Sequence, residues 1–88
     1  MSKIKLSDGR EIEVISFGIA SSGYMFIRVP MSMVEAIQFF SSGTDVITYY
    51  EENGESRRFR GFTSLAYCVN EGYQVRVALV RPAEFWEE

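Results

Sequence analysis

The densest run of chemically capable side chains is Arg57-Arg58-Phe59-Arg60-Gly61-Phe62, with Arg76 further along the chain. Alternate residues of an extended strand share a face. If this stretch is a strand, Arg58, Arg60 and Arg76 fall with Tyr49 and Phe62, setting cations beside rings on which planar groups stack. Arg60-Gly61-Phe62 overlaps the start of an RNA-recognition strand motif. Thr63-Ser64 stands where its small-then-aromatic continuation belongs, and the order of strands and helix differs. Glu51 falls on the same face and offers these arginines an internal partner, so an ion-pair network outweighs nucleic-acid recognition. The net charge of −3 points the same way.

The remaining constellations are poorer in chemistry. Glu51, Glu52 and Glu55 cluster at a hairpin tip and Glu84, Glu87 and Glu88 at the terminus, whereas general acid catalysis needs a carboxyl desolvated enough to shift its pKa. The sequence holds no histidine, which removes the usual neutral-pH base and the commonest zinc ligand. Cys68 therefore has no imidazole to deprotonate it and alternates in mid-strand, where a small buried cysteine is the ordinary reading. Ser7, Ser21, Ser22, Ser41, Ser42 and Thr44 sit at turns and caps, and the glycines are scattered singly, so no phosphate-cradling loop is present. We expect no catalytic residues, no metal site and no cofactor.

At 88 residues the chain fits one small domain, 1–88. It is 47% hydrophobic and 15% aromatic, enough to fold and to leave apolar surface over for a partner, with homo-oligomerisation the natural outlet. A single cysteine closes no intrachain disulfide, so a reducing compartment is expected. No apolar run has the length of a membrane span, and Asp8, Arg10 and Glu11 interrupt any signal-peptide core, so no membrane partner is expected.

Two glycine-ended turns organise the chain: Ser7-Asp8-Gly9 between alternating strands, and Asn70-Glu71-Gly72 before the last strand. A two-residue Asp8-Gly9 turn would mix the faces of the first hairpin. A three-residue loop with Gly9 left-handed sets Ile4 opposite Ile12, with Lys5 opposite Glu11 and Lys3 opposite Glu13. After Val14 the apolar parity changes, which calls for a bulge or bend. Ser21-Ser22-Gly23 turns the chain into a strand over Tyr24 to Val29, ended by Pro30. Ser32 with Glu35 forms a capping box for a helix over 32–40, with Met33, Ala36, Ile37 and Phe40 on its core face, Phe39 off it, and Gly43 as its left-handed stop.

Asn53-Gly54 reads as a two-residue turn placing Tyr50 opposite Arg57 and Thr48 opposite Phe59. Strand 56–62 then runs on, with Phe59, Thr63, Leu65, Tyr67 and Val69 on one face and Gly61 as a bend point. The last turn pairs Leu65 with Val77 and Tyr67 with Val75. The fold expected is α+β: an antiparallel meandering β-sheet of about six strands, open or curled towards a barrel, with one helix packed on it. A second face, carrying Arg58, Arg60, Phe62, Ala66, Cys68, Arg76, Ala78 and Val80, is too apolar for plain solvent. Phe85 and Trp86 add an aromatic tail, either docked on the core or anchoring an interface.

The order of motifs carries a resemblance. A Ser7-Asp8-Gly9 hairpin, an aromatic strand, a helix ending Phe39-Phe40-Ser41, a strand, then Arg60-Gly61-Phe62-Thr63-Ser64-Leu65 leading into Val75-Arg76-Val77-Ala78-Leu79-Val80-Arg81-Pro82 resembles small proteins encoded in phages and prophages of gut Firmicutes. The resemblance implies a tail-associated accessory or structural role, in the host cytoplasm or on the virion, and supplies no catalytic residue. The expectation is a non-enzymatic interaction or assembly module, binding itself or a protein partner through Tyr49, Arg58, Arg60, Phe62, Arg76, Phe85 and Trp86. The alternative is a phage anti-defence protein that uses the arginine face to capture a nucleotide signal or block a host nuclease.

Overall fold

The computed structural model describes residues 2–81. Eight strands and one helix follow in order: β1 (Lys3–Lys5), β2 (Glu11–Glu13), β3 (Ser16–Ile19), β4 (Tyr24–Val29), α1 (Met33–Phe39), β5 (Val46–Tyr50), β6 (Ser56–Arg60), β7 (Ser64–Glu71) and β8 (Gln74–Val80). They form two four-stranded antiparallel sheets, ordered β2-β1-β5-β6 and β3-β4-β8-β7.

The α+β class and the antiparallel pairing are as expected; the strand number and the meander are corrected. Two expected long strands are each cut in two. The parity change after Val14 and the bend at Gly61, whose φ is 89°, are the places where the chain leaves the first sheet for the second. At the first crossing Val14 N–H donates to Ser2 O while Ile15 N–H donates to Arg28 O, so adjacent amides serve different sheets. At the second, Gly61 N–H donates to Asp45 O before β7 begins. Hairpin β1–β2 and hairpin β5–β6 lie side by side in the first sheet, and β3–β4 and β7–β8 in the second. The sheets do not close into a barrel.

Both sheets and the helix share one core. Ile4 and Ile47 come from the first sheet, Met25, Ile27, Val29, Val75, Val77 and Leu79 from the second, and Ala36 and Phe40 from the helix and its C-cap. Phe17 of β3 stacks on Tyr49 of β5 at 4.2 Å and lies 5.4 Å from the Phe59 ring of β6, joining the sheets at one side. The helix lies against β7 and β8. Its capping box is formed: Glu35 N–H donates to Ser32 Oγ at 3.2 Å and Ser32 N–H to Glu35 Oε1 at 3.4 Å. The buried stripe is Met33, Ala36, Phe39 and Phe40, centred on Ala36, while Ile37 is exposed, so Phe39 and Ile37 exchange their expected places. Phe40 is the C-cap, and Gly43, although left-handed at φ 74°, acts beyond the helix, where its carbonyl receives Ser7 N–H.

One loop closes three hairpins. Ser7-Asp8-Gly9, Ser21-Ser22-Gly23 and Glu52-Asn53-Gly54 each end in a glycine of φ 90–95° and carry the same pair of backbone bonds across the loop. Asn53 is not left-handed, so the expected two-residue turn is replaced and the register moves by one: Ile47 faces Phe59 and Thr48 faces Arg58. The last hairpin is the exception. Glu71 pairs with Gln74 across Gly72-Tyr73, and only Gly72 has positive φ, the pattern of a type II′ turn. A bulge between Leu65 and Tyr67 then returns Leu65 to the core face while Tyr67 and Val69 point outwards.

Candidate functional site

The first sheet turns a polar face outwards. Lys3 and Lys5 alternate with buried Ile4, Glu11 and Glu13 flank Ile12, and Lys3 Nζ lies 3.1 Å from Glu11 Oε1. Arg58 and Arg60 are exposed on this face with Thr48 and Tyr50. Arg57, on the other parity, sets its guanidinium 5.7 Å from both the Tyr49 and Phe59 rings and 3.8 Å from Glu51.

The second sheet has a different outer face. Register builds it in rows running from β3 to β7: Ser16, Arg28, Arg76 and Val69; then Gly18, Phe26, Ala78 and Tyr67. Tyr24 and Val80 follow, and the Tyr24 ring stacks on Phe26 at 5.9 Å. Ala78 is fully buried between its larger row neighbours, while Tyr67 and Val69 are 43% and 36% exposed. Arg28 Nε donates to Glu71 Oε1 at 3.1 Å, and Arg76 Nε stands 3.9 Å from Glu71 Oε2.

This geometry disperses the residues expected to form one surface. Tyr49 lies in the seam between sheets, its hydroxyl 3.2 Å from Ser2 Oγ. Phe62 is buried in the core with Arg81 over its ring at 5.0 Å. Arg58 and Arg60 belong to the first sheet and Arg76 to the second. Two features cause this: the one-residue register change in β5–β6 turns Arg58 and Arg60 to the face opposite Tyr49, and the crossing at Gly61 sends Phe62 and Arg76 to the second sheet's side of the molecule. Phe85 and Trp86 lie outside the described residues. Sequence reasoning missed Arg28, Glu71, Phe26 and Gly18, which the pairing of β4 with β3 and β8, and of β8 with β7, brings together; only long-range register reveals them.

Among the described residues the two sheets have four edges, and these differ. β2 has three residues, two of them glutamates, and β6 carries Arg57, Arg58 and Arg60. β3 has four residues and contains Gly18. β7 has eight residues with no charge before Glu71 and no proline. Charges, shortness and irregularity are how natural sheets protect their edges from pairing with other chains; of these β7 has only its bulge, with α1 lying against the strand. The closing pair of a two-residue hairpin, here Glu71–Gln74, is of the hydrogen-bonded kind, so alternation along the antiparallel ladder sets the main-chain groups of Asn70 and Cys68 towards the outer edge. Burial pushes the Cys68 thiol above its ordinary pKa. Among the described residues no helix is long and apolar enough to cross a membrane.

Compared with protein-family models, curated proteins and solved structures, the chain matches none.

Proposed function

We propose that this chain is a non-enzymatic assembly module that joins a second copy of itself by antiparallel pairing of β7 with β7. The observation that carries the reading is the contrast among edges: three are short or charged, and the longest strand is left uncharged over Ser64–Asn70. An antiparallel strand pair is self-complementary, so one edge suffices for a two-fold dimer. The exposed Tyr67 and Val69 beside the edge supply apolar surface that pairing would cover.

The non-enzymatic part is supported by the absence of histidine from the sequence and by a thiol that burial keeps protonated. The phage or prophage setting, with a tail-associated accessory role, is supported by the resemblance of the motif order, and tail genes on either side of its gene are the expected neighbourhood. The test of the module is amide hydrogen exchange measured at rising protein concentration. Exchange at Cys68 and Asn70 slows as β7 pairs; rates independent of concentration would sink the reading.

A further inference from the structure

We propose that the hollow beside Gly18 on the outer face of the second sheet binds a carboxylate carried on a flat apolar body, with Arg28 and Arg76 as its anion fork. The hollow measures about 390 Å³ and is lined by Ser16, Phe17, Gly18, Phe26, Arg28 and Arg76, within the usual range of small-ligand sites.

Arg28 and Arg76 are direct cross-strand partners. Like charges so placed repel, and a nearby anion offsets that repulsion. Glu71 supplies one negative charge for two guanidiniums. Its Oε1 accepts from Arg28 Nε at 3.1 Å, but Oε2 is 3.9 Å from Arg76 Nε, beyond a hydrogen bond, and that buried nitrogen has no hydrogen-bond partner among the described residues. One positive charge and one desolvated donor are thus left over beside an open hollow. A guanidinium fork matches a planar carboxylate in shape and charge.

The floor sets the rest of the ligand. Gly18 stands opposite Phe26, and a Cβ built on Gly18 would meet nothing within 4 Å, so the missing side chain is what keeps the hollow open. Phe26, backed by the Tyr24 ring at 5.9 Å, offers a face for a flat apolar group. Ser16, in row with Arg28, adds a hydroxyl at the polar end. The hollow is bounded by β3, β4 and β8, so it stands independently of the β7 edge.

The full chain is titrated by ¹H–¹⁵N spectroscopy with benzoate, a free small acid, and with N-acetylphenylalanine, the same group presented as a peptide terminus. Saturable shifts at Gly18, Phe26, Arg28 and Arg76 are expected with either probe, and the tighter one identifies the source. In Arg76→Gln the affinity falls at least about tenfold, the scale of one charge-assisted hydrogen bond. Gly18→Val fills the hollow without touching a charge and abolishes the saturable shifts, which decides the matter if Arg76→Gln fails to fold. Non-saturating shifts with both probes, or wild-type affinity in a folded Arg76→Gln or Gly18→Val chain, would overturn the proposal.

Discussion

Asp8 shows how one short side chain sets both a turn and a tertiary tie. Its Oδ1 accepts Arg10 N–H at 3.1 Å, closing the loop locally, while Oδ2 accepts from Arg10 Nε at 2.8 Å and aims the guanidinium at Ser42 O, 3.0 Å from Nη2. The same guanidinium lies 4.9 Å from the Phe39 ring, and Ser7 Oγ donates to Asp45 Oδ1 at 2.7 Å. The first turn is thereby latched to the end of α1. The Arg10 backbone N–H, followed by its guanidinium, holds the Asp8 carboxyl below the ordinary carboxylate range. A depressed folded-state pKa gives stability that is present above the unfolded value and lost as pH falls through the folded one. Asp8→Asn therefore flattens the acid limb of the stability curve, measured by urea unfolding at successive pH values; an unchanged limb would show the latch to be idle. Gly43 completes it, with φ 74° and a would-be Cβ at 3.0 Å from Asp8 Oδ2. Gly43→Ala is expected to cost about 1 kcal/mol or more in the same assay, through backbone strain and crowding of the latch. A neutral result would contradict that reading.

At the scale of elements, α1 is a seven-residue helix with only Ala36 fully buried, so its ends matter more than its length. Removing the cap in Ser32→Ala should cost about 1 kcal/mol in urea unfolding, and no loss would mean that packing of Phe40 alone holds the helix. The cap was legible because Ser32 and Glu35 are local. So was the first hairpin, where apolar parity selects the three-residue loop and gives Ile4 opposite Ile12 as observed. The same test decides the Asn53-Gly54 turn: a two-residue loop would put Ile47 opposite Arg60, and the core prefers Phe59 there. Local Asn-Gly preference was overridden by burial. The β7 bulge has no local signature, since Leu65, Tyr67 and Val69 alternate perfectly in sequence; only the helix side of the sheet decides that Leu65 and Cys68 turn inwards. The expected arginine surface is split because register in β5–β6 and the crossing between sheets at Gly61 are both long-range features.

Across the whole molecule the two halves follow one plan. Each gives a hairpin to the first sheet and then one to the second, with α1 as the connector, and they meet through β1 against β5 and β4 against β8. The plan buries the middle strands and leaves β2, β6, β3 and β7 as edges. Three of those edges carry features that discourage pairing, and the fourth is long and uncharged over most of its length, which is the basis of the proposed self-assembly through β7. Light scattering on the intact chain across a concentration series tests it most directly, read beside Val69→Lys, which sets a charge next to the edge while leaving the core face untouched. Pairing through β7 gives a mass rising to twice the 10.1 kDa of one chain, and a folded Val69→Lys that stays at the single-chain value. A wild-type chain that remains monomeric throughout, or a Val69→Lys chain that dimerises equally well, would contradict it.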